Sequence, residues 1–198
     1  MKKHFRAKTL KRLAFLLAAL TLPATPLYAW QGKVMQVIDG DTVKVARNGS
    51  IEKIRLYGID APEKDQPFGR KATGSAAQLT LGEVVRVEEV TRDRYGRLVA
   101  TIWLGQQNIN QTMVEQGYAW VYPAYCHKSF CRKWRQIEAE ARAGRQGLWA
   151  AERPMPPWQW RKRDKAEAED QLSDFIEDLF RWLRKIMAYI KQLARLFE

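Results

Sequence analysis

The chain has 198 residues, 34 of them Lys or Arg and 22 Asp or Glu, for a formal charge of +12. With 46% hydrophobic residues it can build a packed core, which excludes global disorder, and its length suits one compact domain with appendages. The charge is unevenly placed: residues 1–29 hold six Lys or Arg and no acid, residues 30–152 hold 18 basic and 14 acidic residues, and residues 153–198 hold 10 and 8. The surplus of +4 in the middle segment suits a polyanionic partner without requiring one.

Lys2, Lys3, Arg6, Lys8, Lys11 and Arg12 precede the short apolar run from Leu13 to Leu22. Pro23 and Pro26 then break any helix before Leu27-Tyr28-Ala29. This pattern predicts a cleavable export signal over residues 1–29, with a periplasmic or secreted product. The apolar run is too short to cross the roughly 30 Å of hydrocarbon in a bilayer. Fold reasoning therefore starts at Trp30.

Gly32 to Ile38 and Thr42 to Ala46 are predicted strands joined by the turn Asp39-Gly40-Asp41. Asn48-Gly49 makes a second turn before a strand from Ile51 to Gly58, which Asp60-Ala61-Pro62-Glu63 stops. A helix is predicted from Pro67 to Leu81, then strands at Glu83–Val90 and Arg97–Leu104 joined through Arg92-Asp93-Arg94-Tyr95-Gly96. Helices follow at Asn108–Gln116 and Ser129–Ala143. Five strands in antiparallel-looking order with about three late helices predict an α+β protein built on a five-stranded OB-fold barrel over residues 30–152. Pro154-Met155-Pro156-Pro157-Trp158 and the charged run Arg161–Asp170 predict a linker over residues 153–170. Residues 171–198 then predict an amphipathic helix capped at Ser173 and running to about Phe197, too charged to span a bilayer.

Beyond the leader the sole histidine is His127, which argues against a Ser-His-Asp triad or a multi-histidine metal centre. No phosphate-cradling Gly-rich loop followed by Lys-Ser or Lys-Thr is present. Chemistry must rest on carboxylates, arginines, hard cations or thiols. Cys126 and Cys131 predict a local disulfide in an oxidising compartment, with zinc binding beside His127 as the other reading. Asp39 and Asp41 flank Gly40, and Asp60 and Glu63 flank Ala61-Pro62. Such turns either offer hard oxygen ligands to Ca²⁺ or Mg²⁺ or bond their own backbone. Arg55, on the predicted third strand, and Arg97, opening the fifth, suit a phosphate that gains charge in a transition state, or surface ion pairs. Trp103, Trp120, Trp134 and Trp149 read as packing residues. Lys128, Arg132, Lys133 and Arg135 read as a solvated helix face or a phosphate-tracking patch.

Three motifs in order, Val37-Ile38-Asp39-Gly40-Asp41-Thr42-Val43, Ile54-Arg55-Leu56-Tyr57-Gly58-Ile59-Asp60-Ala61-Pro62-Glu63 and Asp93-Arg94-Tyr95-Gly96-Arg97, resemble those of the staphylococcal nuclease (thermonuclease) family. The similarity continues through Gln116-Gly117-Tyr118-Ala119 to Gly147-Leu148-Trp149. The resemblance implies an exported, Ca²⁺-dependent phosphodiesterase that cleaves DNA or RNA with low sequence specificity and leaves 3′-phosphate and 5′-hydroxyl ends. It implies Asp41, Asp60 and the Ala61 carbonyl as Ca²⁺ ligands, Asp39 behind them, and Glu63 as general base or water-orienting group. Arg55 and Arg97 would grip the scissile phosphate, and Tyr95 would line the nucleotide pocket. The sequence departs from the family at Asp65-Gln66-Pro67-Phe68, which is shorter than the matching loop. The base-stacking aromatic pair has no clean counterpart, with Tyr122 and Tyr125 as candidates. The other reading is a non-catalytic nucleic-acid-binding OB module; the presence of Asp41, Arg55, Asp60, Glu63 and Arg97 argues against it. The last helix is expected to dock on the nuclease body, to self-associate, or to meet a membrane surface.

Overall fold

A computed structural model describes the backbone of residues 29–194, with side chains to residue 187. Residues 1–28 of the predicted export signal and the end of the predicted last helix lie outside the described residues.

Two hairpins begin the barrel. Strand β1 (Ala29–Asp39) pairs antiparallel with β2 (Thr42–Arg47), and β2 with β3 (Ser50–Leu56). The second hairpin turns at Asn48 and Gly49, both with positive φ (48° and 80°), the conformation that an Asn-Gly pair adopts readily. Along β3 the side chains alternate, burying Ile54 and Leu56 while Ile51 and Lys53 face solvent. The short β4 (Ile59–Asp60) leaves this sheet and pairs with β8 (Trp120–Val121).

Strand β5 (Val84–Arg92) pairs with the start of β1, and β6 (Leu98–Leu104) pairs with β5. Parallel pairing of β3 with β6, Ile54 opposite Leu98 and Leu56 opposite Ala100, closes five strands into a barrel. The short β7 (Gln107–Asn108) extends the edge at β6. Val34, Val43, Val45, Ile54, Val85, Val87, Leu98 and Ile102 fill the interior and are essentially inaccessible. Removing that apolar surface from water is the main stabilising term, at roughly 25 cal/mol per Å².

Among the described residues four α-helices accompany the barrel: α1 (Gly69–Thr80), α2 (Ile109–Glu115), α3 (Cys131–Ala143) and α4 (Pro157–Ala194). The barrel and its first three helices agree with the expected α+β, OB-like architecture. Helix α1 starts at Gly69 rather than Pro67, because Phe68 adopts φ 69° and takes the chain out of the helical region. The Asn108 side chain caps α2 by accepting from Gln111 N–H. Within α2, the buried amide of Asn110 donates to the carbonyls of Tyr57 and Ala100 and accepts from Ile102 N–H, tying the helix to the barrel wall. Cys126 and Cys131 form a disulfide at the entrance to α3, in agreement with the thiol reading and not with zinc. Gly58 (φ 72°) makes that junction fit: a Cβ there would lie 2.7 Å from Cys126 Sγ.

The segment predicted as a linker is helical from Pro157, so α4 does not wait for Ser173. Pro157 is tolerated in a first turn, where its missing N–H costs no helical bond. The charged run is rich in helix-forming Ala, Glu and Lys, with i,i+4 pairs between Arg163 and Glu167 and between Lys165 and Glu169. Further along, Leu172, Phe175, Ile176, Leu179, Phe180 and Leu183 remain 41–63% exposed, so this stretch does not dock on the barrel. No described helix is long and apolar enough to cross a membrane.

Candidate active site

A cleft of about 680 Å³ opens where the β1–β2 turn, the end of β3, β4 and the β5–β6 turn meet. Asp39, Asp41, Arg55, Asp60, Ala61, Glu63, Tyr95, Arg97, Tyr122 and Tyr125 all line it, so every expected chemical residue outside the disulfide faces one space.

The β1–β2 turn can enter this space because Gly40 has no side chain. A Cβ there would lie 2.6 Å from the Ala61 Cβ and 2.9 Å from the Ala72 Cβ. Asp39 Oδ1 accepts from Asp41 N–H at 3.1 Å and so shapes the turn without touching Asp60 or Glu63. Asp41 reaches across to β4, where its Oδ2 accepts from Ala61 N–H at 2.7 Å, while its Oδ1 accepts from the Thr42 hydroxyl. Arg55, opposite Thr42 in the sheet, bridges the two buried carboxylates: Nη1 lies 2.7 Å from Asp41 Oδ2 and Nη2 lies 2.7 Å from Asp60 Oδ1.

This cluster carries more negative than positive charge. Burial pushes the Asp41 carboxyl up to about 8; Arg55 pulls against that, and the Asp39 and Asp60 charges add to the rise. The donor set suits a hard cation. Asp41 and Asp60 supply carboxylate oxygens in a desolvated pocket, and the Ala61 backbone adjoins them. Among the described residues no three side chains of the His, Cys, Asp and Glu types converge as a ready-made cage, so carbonyl and water oxygens must complete such a site.

Glu63 stands beyond Pro62 at the rim, with its side chain 37% exposed. Gln66 fixes its loop: the Gln66 Oε1 accepts from Glu63 N–H at 3.2 Å, and Gln66 N–H donates to the Glu63 carbonyl at 3.0 Å. Across the cleft, Asp93 organises the β5–β6 turn. Its Oδ1 accepts from the backbone N–H groups of Tyr95 and Arg97, and its Oδ2 accepts from Arg97 Nε at 2.6 Å. Burial acts to raise the Asp93 carboxyl, but the hydrogen bonds from Arg97 and Tyr95 outweigh it and hold it below the usual carboxylate range. With Nε engaged, the terminal nitrogens of Arg97 stay available to a ligand. Tyr95 is 69% exposed beneath the Arg94 and Arg97 guanidinium groups. Tyr122 and Tyr125 pack edge to face with centroids 4.8 Å apart.

Two participants carry no signal in the sequence. Arg161, on the first turns of α4, places Nη2 2.8 Å from Asp60 Oδ2 and Nη1 2.6 Å from Glu63 Oε1. Partial burial opposes its charge, but Asp60 and Glu63 raise its pKa above the ordinary value. Trp158 lies flat on Tyr122, with centroids 5.0 Å apart and planes 2° from parallel, and packs edge-on against Trp120. Both sit in segments that read as linker, and the adjoining prolines alone hint that the chain turns back there.

A family profile described as staphylococcal nuclease homologue matches residues 53–151. The chain is 41% identical over 133 residues to an "uncharacterized endonuclease" of Escherichia coli O157:H7, covering 67% of this chain and 85% of that one. It is 36% identical over 158 residues to the micrococcal nuclease of Shigella flexneri, covering 75% and 90%. It is 35% identical over 175 residues to protein ParB of Escherichia coli, covering 83% and 98%. A closed OB-like barrel that gathers these acids and arginines into one cleft, together with this similarity across most of the chain, places the protein in the staphylococcal nuclease family.

Proposed function

We propose that this nuclease is a Ca²⁺-dependent phosphodiesterase that cleaves DNA or RNA with little sequence preference and leaves a 3′-phosphate and a 5′-hydroxyl. The observation that carries this reading is the meeting of Asp41, Asp60, Glu63, Arg55 and Arg97 in one cleft. Asp41, Asp60 and the Ala61 carbonyl would hold the cation, with Asp39 shaping the turn behind them. When bound, Ca²⁺ would supply positive charge beside the scissile phosphate. Glu63 accepts a proton from the attacking water as its oxygen bonds to phosphorus. The bond to the 5′ oxygen breaks, and that oxygen takes a proton from solvent water and leaves as a hydroxyl. Arg55 and Arg97 direct N–H groups at phosphate oxygens that gain charge in this step, and forked guanidinium donors suit that task. Tyr95, Tyr122 and Tyr125 offer faces to the sugar and base, and stacking of this kind tolerates any base. We further infer that the chain is exported to the periplasm or beyond, which its leader and the Cys126–Cys131 disulfide support.

The test is cleavage of single-stranded DNA and of RNA with Ca²⁺ and with chelator, followed by analysis of the new ends. Cleavage that needs Ca²⁺ and gives 3′-phosphates is the expected result. Undiminished cleavage in chelator, or 5′-phosphate products, would overturn the reading.

A further inference from the structure

The first turns of α4 lie in the active-site cleft, although farther along the helix Leu172, Phe175, Phe180 and Met187 stand exposed, away from the barrel. Three contacts hold the turns there. Gln66 Nε2, on the loop that carries Glu63, donates to the Met155 carbonyl at 2.6 Å. Trp158 stacks on Tyr122 and packs on Trp120, joining the small cluster of Trp120, Ala141, Leu148 and Trp149. Arg161 spans Asp60 and Glu63, donating to both oxygens of Asp60 and to Oε1 of Glu63.

The Arg161 and Trp158 contacts use groups that the reading above needs for something else. Asp60 is a cation ligand in that reading, and it shares its oxygens with Arg55 and Arg161. Glu63 is the base, and its Oε1 is taken up by Arg161. Tyr122 is a candidate platform for a base, and the Trp158 indole lies parallel to its ring. A guanidinium thus stands among the acids and an aromatic plane covers the platform, as a cation and a nucleobase would.

We propose that this turn is an internal latch: Arg161 competes with the divalent cation for Asp60 and Glu63, and cation binding releases the start of α4 from the cleft. The latch rests on the Ca²⁺ reading. The competition follows from charge and space, because a cation at Asp60 must displace Arg161 from Oδ2 or sit beside it against like-charge repulsion. Linkage makes the effect reciprocal: whatever Arg161 takes from cation affinity, the cation takes from the docking of α4. Trp158 contributes by holding the turn in place.

Calorimetric titration of the chain with Ca²⁺, beside Arg161→Gln and Trp158→Ala, tests this. Removing the competing charge is expected to tighten Ca²⁺ binding by about tenfold, within the range usual for coupled sites. Trp158→Ala, which leaves all the acids intact, is expected to shift affinity in the same direction. In the parent chain, Ca²⁺ is expected to speed amide hydrogen exchange over residues 158–163. Equal or weaker Ca²⁺ binding by Arg161→Gln overturns the latch, and weaker binding with a raised KM would assign Arg161 to the substrate phosphate instead. Absence of Ca²⁺ binding in all three proteins would overturn the Ca²⁺ reading and the latch together, whereas equal binding in all three would sink the latch alone.

Discussion

Asp93 illustrates how one side chain sets another. It has no place in the proposed chemistry, yet it accepts from both backbone N–H groups that shape its turn and from Arg97 Nε. Asp93→Asn removes the charge that holds the Arg97 fork. The expected outcome is a fall in kcat of about tenfold or more, with little change in stability, because positioning errors tell on the transition state first. Circular dichroism and steady-state kinetics check it. Asp41 makes the opposite bargain. Its folded carboxyl is held at about 8 against an ordinary 3.8, so the folded state binds the proton more tightly than the unfolded chain does. The stability this contributes is full below the unfolded value and is lost as pH rises through the folded one. Asp41→Asn cannot ionise, so in chelator at about pH 9 it is expected to melt above the parent while losing Ca²⁺ affinity. A variant that melted lower at that pH would contradict the charge balance described for the cluster.

At the scale of elements, short stretches with strong local rules were legible in the sequence. The Asn48-Gly49 turn and the short helix predicted over Asn108–Gln116 each rest on chemistry within a few residues; the turn stands where it was expected, and the helix spans Ile109–Glu115 with Asn108 as its cap. Boundaries slipped where a longer contact decided them. Helix α4 begins at Pro157 because helix-forming residues and i,i+4 ion pairs continue through a run that charge alone marks as solvated linker. The predicted third strand, drawn to Gly58, ends at Leu56, after which Gly58 turns the chain under the Cys126–Cys131 loop. Asn110 is the element-scale joint with the largest predicted cost. Asn110→Ala strands the buried Ile102 N–H and frees the Tyr57 carbonyl, so a loss of about 3 kcal/mol is expected in urea unfolding, from one or two buried groups left unpaired.

Taken whole, the molecule builds its cleft at one end of the barrel from segments far apart in the chain. The β1–β2 turn brings Asp39 and Asp41, the end of β3 brings Arg55, β4 and its loop bring Asp60 and Glu63, and the β5–β6 turn brings Arg97. The motifs made these residues legible because each lies in a short segment with its own turn chemistry. Arg161 and Trp158 were not legible. Their role depends on where a helix outside the barrel begins and which way it enters the cleft, and no local pattern encodes that direction. The same arrangement keeps two acids buried and leaves one at the rim. Arg55 sits between Asp41 and Asp60, while Glu63 stands at the rim, reachable by water and substrate.

In the proposed reaction Glu63 takes the proton of the attacking water, in a cleft that binds nucleic acid through other groups. Single-turnover cleavage by Glu63→Gln in saturating Ca²⁺, measured with nucleic-acid affinity in the same protein, tests it most directly. A fall in rate of about 10²–10⁴-fold with substrate affinity retained is the predicted result. Cleavage at the parent rate would contradict the assignment of the base, and binding without cleavage in both proteins, indifferent to Ca²⁺, would mark the barrel as a binding module.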